Sequence, residues 1–579
     1  MICITCEKWE HQWATFASSC TARLNSLHPT MSLQELTSDV DTEGQSDGFR
    51  SKGQITMTKA IGDPNTTQTK RLAGNYSSVV AGIMYCSIQP GPQPLDSCSS
   101  PLPGPLRQVT LTSLTETGQD ESTIPVLKQR SYTGPEVLPS ALADTPCADL
   151  GIERVLMELN TTLGTSYTLH STSSVLVPYI TQGFDFGTAY AHLRPHWENI
   201  STLEHELSTR EEKDREMRRS VLANDRITMR DVPHRRLWDL CANRVAPYWV
   251  ACDEVEPSAI SHAWVAAQDR EYVMTSINGR EWPVPMPKGV KLELIRIEML
   301  NARSNRTPRL VRDYVWLDVL CLRQEGGKSK ELLLEEWKLD VPTIGSMYQR
   351  IYPPVVYYFN GLGRPLHLLP GYFESDRCWF RRAWTLQELI QEPIIAGETG
   401  EDVIDEQLQM TFDRQLESSH RSFASILHLV SEMRHRDSTM PLDKVAGLVY
   451  PLAPTFIPVY DPNESPEDAW EVLMDVIDPS FRAELFFTYP APGNGRKYWR
   501  PSWEQVLTNK IMARTVFMHV KVETVFWSDN SDADCYDCRY IMRGNVRDLG
   551  EVPNEPTPRQ GEVVFHDNNG AKPHLKNRC

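Results

Sequence analysis

Residues 314–321 read Tyr-Val-Trp-Leu-Asp-Val-Leu-Cys, a nearly continuous apolar run interrupted by a single acid. Such a run predicts a β-strand that is buried on both faces, as in a parallel sheet covered by helices. Shorter apolar runs at residues 259–264 and 354–359 are predicted to form neighbouring strands, and residues 393–397 a fourth. These segments place the predicted sheet in the middle of the chain.

Helical segments are expected between these strands. One covers residues 330–348 and is predicted to break near Pro342, because proline removes a helical hydrogen bond. Another is expected after the third strand, where Trp384 and Glu388 are four positions apart and would share one face. Alternation of strands and helices implies parallel pairing with right-handed crossovers. The predicted fold class is therefore α/β, a small parallel sheet flanked by helices.

The chain outside this section is predicted to divide by composition. Serine, threonine, proline and glycine are frequent before Ala148, with no sustained periodicity. Helical spacing follows at residues 150–163, and a charged helix at residues 203–226. The expected regions are a disordered, low-complexity N-terminal region at 1–147, a helical lead-in at 148–252, the sheet-bearing core at 253–400, a mostly helical C-terminal extension packed on the core at 401–530, and an irregular tail at 531–579.

Composition limits the partners and the compartment. The formal net charge of −17 over 579 residues argues against nucleic-acid binding through the overall field of the chain. No apolar run reaches the ~18 residues of a membrane span, and the N-terminus lacks the pattern of a secretory signal. The 13 cysteines are an odd and scattered set, which favours reduced thiols in a cytoplasmic protein.

Metal binding is considered for two CxxC pairs, at residues 3–6 and 535–538. A zinc site needs about four ligands. His11 and Cys20 offer further ligands for the first pair, whereas nothing obvious completes the second. Chance spacing is the preferred interpretation of both pairs, and no metal site is predicted.

Polar and aromatic side chains follow the predicted strands at the places where each strand ends. In open parallel sheets, ligands bind beyond the carboxyl ends of the strands. We therefore expect a hydroxyl, an imidazole, two carboxylates and two aromatic rings to converge on one cleft. The candidates are Ser261, His262 and Trp264 from the first strand, Asp318 from the second, and Trp384 and Glu388 from the helix after the third.

Each candidate also has a structural interpretation. Ser261 and His262 can cap the next helix, and Asp318 can bind backbone amides or an arginine. The tryptophans can be parts of the core. Glu388 can have a raised pKa in a cleft, or it can be neutralised by Arg381, seven positions earlier. From the residues alone, catalysis and structure are both open for Glu388.

Three blocks in this section carry a resemblance to a known family. Residues 259–264 (AISHAW), 314–324 (YVWLDVLCLRQ) and 379–389 (WFRRAWTLQEL) match SxxW, WxDxxCxxQ and RxWTLQE blocks in that order. Together they resemble the fungal heterokaryon incompatibility (HET) domain. A fourth block at residues 443–448 (DKVAGL) resembles the segment that often follows in that family. Within the first block, His262 stands in place of the usual tyrosine.

The resemblance implies a fold and a set of site residues. HET domains are similar to TIR domains, so it implies a TIR- or flavodoxin-like core with helical N- and C-terminal extensions. Some TIR domains cleave NAD with the glutamate of a W-x-x-x-E motif, which residues 384–388 match. The resemblance thus implies Glu388 as the candidate catalytic residue, and as candidate substrate-binding residues Ser261, His262, Trp264, Asp318 and Trp384.

Two functions are compatible with this resemblance. The first is a signalling or assembly module in fungal non-self recognition and programmed cell death. Such a module would associate with itself or with other incompatibility proteins, and it would require no cofactor. The alternative is a death effector that consumes NAD as its substrate, in which Glu388 stabilises positive charge as the glycosidic bond breaks.

Overall fold

A six-stranded sheet organises the folded chain, with helices before, between and after its strands. The structure, a computed structural model, describes residues 106–251, 256–304, 313–348, 354–375, 377–389, 394–400, 406–421, 425–489, 493–495 and 500–508, together with four short strands at 524–527, 534–537, 562–564 and 576–578.

The strands are β1 (Gln108–Thr112), β2 (Ser131–Pro135), β3 (Leu222–Ala223), β4 (Arg226–Ile227), β5 (Arg236–Asp239), β6 (Arg244–Pro247), β7 (Ser258–His262), β8 (Arg270–Val273), β9 (Val284–Pro287), β10 (Tyr314–Trp316), β11 (Val355–Tyr358), β12 (Ile394–Ile395), β13 (Ile457–Pro458), β14 (Thr524–Trp527), β15 (Asp534–Asp537), β16 (Glu562–Val564) and β17 (Lys576–Arg578).

The α-helices are α1 (Ser113–Thr117), α2 (Ser140–Ala143), α3 (Cys147–Leu163), α4 (Leu169–Thr181), α5 (Phe186–Leu193), α6 (Leu203–Ser220), α7 (Leu292–Ser304), α8 (Asp318–Cys321), α9 (Lys330–Asp340), α10 (Gly345–Tyr348), α11 (Glu406–Arg421), α12 (Ile426–Arg434), α13 (Asp443–Ala446), α14 (Pro466–Val476), α15 (Pro479–Thr488) and α16 (Trp503–Thr508). Short 3-10 helices cover Glu121–Thr123, Leu127–Gln129, Arg194–Asn199, Tyr248–Val250, Ala267–Asp269, Ser276–Asn278, Trp379–Arg381 and Trp384–Leu386.

The central sheet has the strand order β12-β11-β7-β10-β5-β6. β7 lies between β10 and β11 and is parallel to both, and β12 is parallel to β11. The predicted parallel pairing of these four segments is therefore confirmed, and the chain has a mixed α/β fold. β5 and β6 add an antiparallel hairpin at the edge, which was not predicted.

The second predicted strand is shorter than its apolar run. β10 ends at Trp316, and the residues from Asp318 to Cys321 form the single helical turn α8. The backbone N–H of Val319 donates a 2.7 Å hydrogen bond to the Asp318 carboxylate. A short acidic side chain that binds the backbone beside it favours a turn over a continued strand. Apolar character alone could not separate the buried turn from the strand.

The helix predicted to carry Trp384 and Glu388 is not an α-helix. The segment forms two 3-10 turns, at Trp379–Arg381 and Trp384–Leu386. The hydroxyl of Thr385 donates to the carbonyls of Trp379 (2.6 Å) and Arg382 (2.8 Å), which replaces part of a helical hydrogen-bond ladder. The expected shared face of Trp384 and Glu388 is therefore wrong.

The predicted disordered region extends too far along the chain. β1 and β2 form an antiparallel hairpin. Gln129 donates a 3.0 Å hydrogen bond to Glu298 of α7, and Arg296 of the same helix donates 2.8 Å to the carbonyl of Leu138. Residues 106–147 are thus tied to the rest of the fold. Their buried positions are spread over short elements, so they leave no sustained periodicity, and the earlier part of that region lies outside the described residues.

Other predicted elements are close to the observed ones. The break near Pro342 is confirmed, since α9 ends at Asp340 and α10 begins at Gly345. α3 covers the predicted helix at residues 150–163, whereas the charged helix α6 ends earlier than predicted, at Ser220. α11 to α16 form the helical extension, and the tail predicted to be irregular contains the strands β15 to β17.

None of the α-helices in the described ranges combines the length and the apolar character that a bilayer crossing requires.

Candidate functional site

Ser261 is the centre of a hydrogen-bonded cluster at the C-terminal end of β7. Its hydroxyl donates a 2.5 Å bond to Oε2 of Glu388 and accepts a 2.8 Å bond from Nε1 of Trp379. A hydroxyl can donate and accept at once, so Ser261 links the indole to the carboxylate. All three side chains are buried, and Glu388 is 8% exposed. The fold therefore brings together two of the candidate residues, Ser261 and Glu388.

Glu388 is held in position through its backbone and through the turn before it. Tyr357 of β11 donates its phenolic proton to the carbonyl of Glu388. Nη1 of Arg436 donates to the carbonyl of Arg382 (2.9 Å) and to the hydroxyl of Thr385 (2.8 Å). Both acceptors lie in the turn that leads into Glu388. The carboxyl is thus fixed from the sheet on one side and from the C-terminal extension on the other.

His262, Trp264 and Asp318 form a second group, at the ends of β7 and β10. Oδ1 of Asp318 accepts a 2.8 Å bond from Nε2 of His262, and Oδ2 accepts a 3.1 Å bond from the indole N–H of Trp264. The His262 side chain is buried, whereas the Asp318 side chain is 23% exposed. This group reaches the surface, while the Ser261–Glu388 pair lies inside.

The charge state of Glu388 is set by competing effects. Burial raises the pKa of Glu388 to about 7, although the hydrogen bond from Ser261 opposes this rise. The negative charge of Asp318 raises the pKa further, and the positive charges of His262 and Arg436 lower it. Near neutral pH the carboxyl is therefore present in both protonated and ionised forms. That is the condition for general acid–base chemistry.

His262 and Asp318 titrate as a pair. Burial lowers the pKa of His262, but the charge and hydrogen bond of Asp318 outweigh burial, so the net pKa is raised. Burial likewise acts to raise the pKa of Asp318, and the imidazolium of His262 brings it below its usual range. The pair therefore favours the imidazolium–carboxylate form.

Trp384 belongs to neither group. Its indole N–H bonds to the carboxyl of Asp443, which also accepts a 2.9 Å bond from the hydroxyl of Tyr460. The ring centroids of Trp384 and Tyr460 are 6.3 Å apart. The prediction that Trp384 lines the same cleft as Glu388 is wrong, because the 3-10 turn directs its indole toward the C-terminal extension.

Arg381 is not the partner of Glu388 that its spacing suggested. Its guanidinium lies 3.9 Å from Asp437 and donates a 2.7 Å bond to the carbonyl of Glu374. The arginine whose charge acts on Glu388 is Arg436. Sequence reasoning missed it because it lies beyond Glu388, in the extension.

Two further residues of the site, Trp379 and Tyr357, were not among the candidates predicted from the sequence. Trp379 stands in the same block as Glu388, and its buried N–H needed a partner. Tyr357 pairs in parallel register with Ser261, so the alignment of β11 with β7 was the signal that would have found it.

In the second group, the aromatic ring of Trp264 already contacts two neighbouring side chains. The rings of His262 and Trp264 stack with centroids 5.7 Å apart and planes inclined by 29°. The guanidinium of Arg270, on β8, lies 5.2 Å from the centroid of Trp264. A flat base that stacks on Trp264 would have to share the ring with these groups. The carboxylate of Asp318 is the more accessible polar group.

The described ranges contain no cluster of three or more His, Cys, Asp or Glu side chains arranged to hold a metal ion. Of the CxxC pairs, Cys3, Cys6 and Cys538 lie outside the described residues.

Comparisons with known proteins returned no match: no family model, no curated protein and no solved structure is significantly similar to this chain. The case for a function therefore depends on the residues and geometry of the chain itself.

Proposed function

We propose that this protein is a HET-type signalling module that acts in fungal non-self recognition and programmed cell death. The observation that carries the proposal is a set of hydrogen bonds from indole N–H groups, which join the four sequence blocks of the resemblance to one another. The bonded pairs are Trp264 with Asp318 (3.1 Å), Trp379 with Ser261 (2.8 Å), and Trp384 with Asp443.

These bonds explain why the blocks occur together. A buried indole leaves one N–H that needs an acceptor, and an unpaired buried donor costs about 1–3 kcal/mol. Three of the four tryptophans of the blocks, Trp264, Trp379 and Trp384, find their acceptor in a different block, whereas the buried N–H of Trp316 has no hydrogen-bond partner among the described residues. Residues spread from 259 to 448 thus form one cooperative unit, as expected for a domain recognised by all of its blocks.

The position of Glu388 favours signalling over catalysis. The side chain is 8% exposed and bonded to Ser261, so a substrate could reach it only after the surrounding residues moved. A binding module needs no such opening. The partner we propose is a second copy of this chain or another incompatibility protein.

The alternative is a death effector that cleaves NAD at Glu388. The observation that favours it is the pKa of about 7 of this carboxyl, which lies among Ser261, His262 and Asp318 at the C-terminal edge of a parallel sheet. Glu388 would stabilise the positive charge that develops as the nicotinamide bond breaks. Asp318, the more accessible acid, would bind the ribose hydroxyls.

Controlled expression of the full chain in a filamentous fungus separates the two functions. Cell viability, cellular NAD and oligomer size are measured for the wild-type chain, for Glu388→Gln, and for Glu331→Gln, which changes an exposed acid of α9. The signalling proposal expects cell death and self-association with NAD unchanged, in all three chains. The alternative expects NAD loss and death in the wild type and in Glu331→Gln, and neither in Glu388→Gln.

Two results would contradict the proposal. Chains that accumulate as folded protein without any loss of viability would argue against a death module of either kind. NAD loss that depends on Glu388 would support the NAD-cleaving effector and contradict the signalling module.

A further inference from the structure

Arg436 is a buried cation supplied by the C-terminal extension. It follows α12, and its side chain is 1% exposed. Nη1 donates to the carbonyl of Arg382 at 2.9 Å and to the hydroxyl of Thr385 at 2.8 Å. A guanidinium in the core has to offset a large desolvation cost. Its presence here therefore needs an explanation beyond packing.

The residue next to Arg436 holds the same turn through the backbone. Arg382 and Asp437 form a parallel β-bridge, and the N–H of Ala383 donates a 2.9 Å bond to the carbonyl of Asp437. The turn leading into Glu388 is thus clamped by a backbone pair and by a side chain. Both come from the loop between α12 and α13.

The remaining donors of Arg436 are not used by the turn. Nε and Nη2 are buried and have no hydrogen-bond partner among the described residues. Burial lowers the pKa of Arg436 to about 10, against the charges of Glu432, Cys378 and Glu388, which act to raise it. The guanidinium therefore stays charged at neutral pH, and part of its charge is not neutralised by a direct hydrogen bond.

We propose that Arg436 is a positioning residue for Glu388: it fixes the turn that carries the carboxyl and presents a positive charge to it. The C-terminal extension then completes the site rather than merely covering it. A role of Arg436 in catalysis rests on the NAD-cleaving alternative above. The effect of Arg436 on the position and the pKa of Glu388 does not rest on it, because this effect is present whether or not the protein turns over a substrate.

Other groups also face Glu388. Asp318 and His262 act on it from the ends of β10 and β7, and the phenol of Tyr348 faces it from α10. Burial holds the pKa of Tyr348 well above its usual value, so this phenol carries no charge at neutral pH. His262 is already paired with Asp318. Arg436, in contrast, forms no ion pair with a carboxylate among the described residues, and its Nε and Nη2 have no hydrogen-bond partner there.

The test is a direct titration of Glu388 in the full chain. Glutamate is labelled with ¹³C at the carboxyl carbon, and the Glu388 resonance is the one lost in Glu388→Gln. Arg436→Gln removes the charge but keeps an amide that can bond to the turn. Arg381→Gln removes a more exposed arginine of the same turn and is the matched control. We expect the pKa of Glu388 to rise by about one in Arg436→Gln, and to be unchanged in Arg381→Gln.

An unchanged pKa of Glu388 in folded Arg436→Gln would overturn the proposal. If that variant does not fold, Arg436→Lys decides, because it keeps the charge and alters the two bonds of Nη1. A displaced Glu388 resonance with a nearly wild-type pKa supports the proposal, and a resonance and pKa identical to the wild type overturn it.

Nicotinamide release is followed in the same samples to separate this proposal from the function. Release in the wild type, with the acidic limb of the kcat/KM profile moved to higher pH in Arg436→Gln, supports a role for Arg436 in catalysis. No release in the wild type removes the NAD-cleaving alternative, and the titration still decides whether Arg436 acts on Glu388.

Discussion

The hydroxyl of Ser261 donates a hydrogen bond of 2.5 Å to the carboxylate of Glu388, which joins the end of β7 to the turn beyond the second 3-10 helix of the third block. A hydrogen bond to an ionised acceptor is stronger than one to a neutral acceptor, so this contact favours the charged form of Glu388. Burial has the opposite effect and dominates, which leaves the pKa of Glu388 at about 7. The protonation of this carboxyl therefore reports on the integrity of the site.

Ser261→Ala tests that contact. The substitution leaves the indole N–H of Trp379 and one oxygen of Glu388 without their partner, so we expect the chain to lose about 1–3 kcal/mol of unfolding free energy. The pKa of Glu388 should rise, because a bond to its charged form is lost. Urea unfolding and ¹³C titration measure the two effects. Ser220→Ala, at an exposed hydroxyl that donates 2.9 Å to the carbonyl of Met217, is the control and should change stability by less than about 0.5 kcal/mol.

The pH dependence of stability tests the charge state of Glu388. Its folded-state pKa of about 7 lies above the usual 4.5 of a glutamate, so the folded chain holds a proton that the unfolded chain releases between these values. The contribution of Glu388 to the free energy of unfolding therefore falls as pH rises through this window, by about 3 kcal/mol, and is then constant.

Glu388→Gln removes this contribution. The His262–Asp318 pair is present in the variant and in the wild type, so its own pH dependence cancels when the two are compared. The stability of the variant relative to the wild type should thus increase with pH up to about 7. Urea unfolding at a series of pH values measures the difference. A difference that does not depend on pH would show that folding does not shift the pKa of Glu388.

The sequence was sufficient for the parallel part of the sheet and insufficient for its antiparallel edge and for the turns. Apolar runs of strand length predicted β7, β10, β11 and β12, because burial on both faces leaves a strong compositional signal, and the alternation of strands with helices predicted their parallel pairing. The antiparallel edge formed by β5 and β6 was missed, since their four-residue strands carry no such run. The position of this hairpin in the sheet depends on the pairing of β5 with β10, which is distant in the sequence.

The site was predictable where it depends on the ends of strands. Ser261 and Asp318 follow from the sheet topology, and both take part in the observed hydrogen bonds. Trp384 was misplaced because helical spacing was assumed for a segment whose backbone is bonded to Thr385 and Asp437 instead. Arg436 was missed because its relation to Glu388 exists only in the folded chain.

Substitutions of the two tryptophans of the third block distinguish contacts within the Ser261–Glu388 site from contacts with the C-terminal extension. Trp379→Phe removes the N–H that bonds to Ser261, and Trp384→Phe removes the one that bonds to Asp443. We expect each to lower the unfolding free energy by about 1–3 kcal/mol, because each removes a hydrogen bond to a buried acceptor. Only Trp379→Phe should move the carboxyl resonance of Glu388. A resonance that moves equally in both variants would contradict the separation.

Asp318→Asn tests the paired titration of His262. The carboxylate holds the pKa of His262 up against burial, so its removal should lower that pKa and leave the imidazole neutral near pH 7. Nitrogen chemical shifts of the imidazole ring measure the change. His192 provides an internal control, because burial has lowered its pKa to about 4 independently of Asp318. An unchanged pKa of His262 would mean that another group supports the imidazolium.

Truncation after Gly400 tests whether the extension belongs to the same folding unit. It removes Phe412, whose ring centroid lies 4.7 Å from that of Phe359 and 5.7 Å from that of Phe380, and it removes Arg436. Deleting one packed phenylalanine side chain costs about 3–5 kcal/mol, and a whole domain is stable by only about 5–15 kcal/mol. The truncated chain should therefore lose its cooperative thermal transition, as measured by calorimetry. A chain that ends after Thr508 keeps α11 to α16 and should retain the transition, so cooperative unfolding of both chains would show that the sheet folds without its extension.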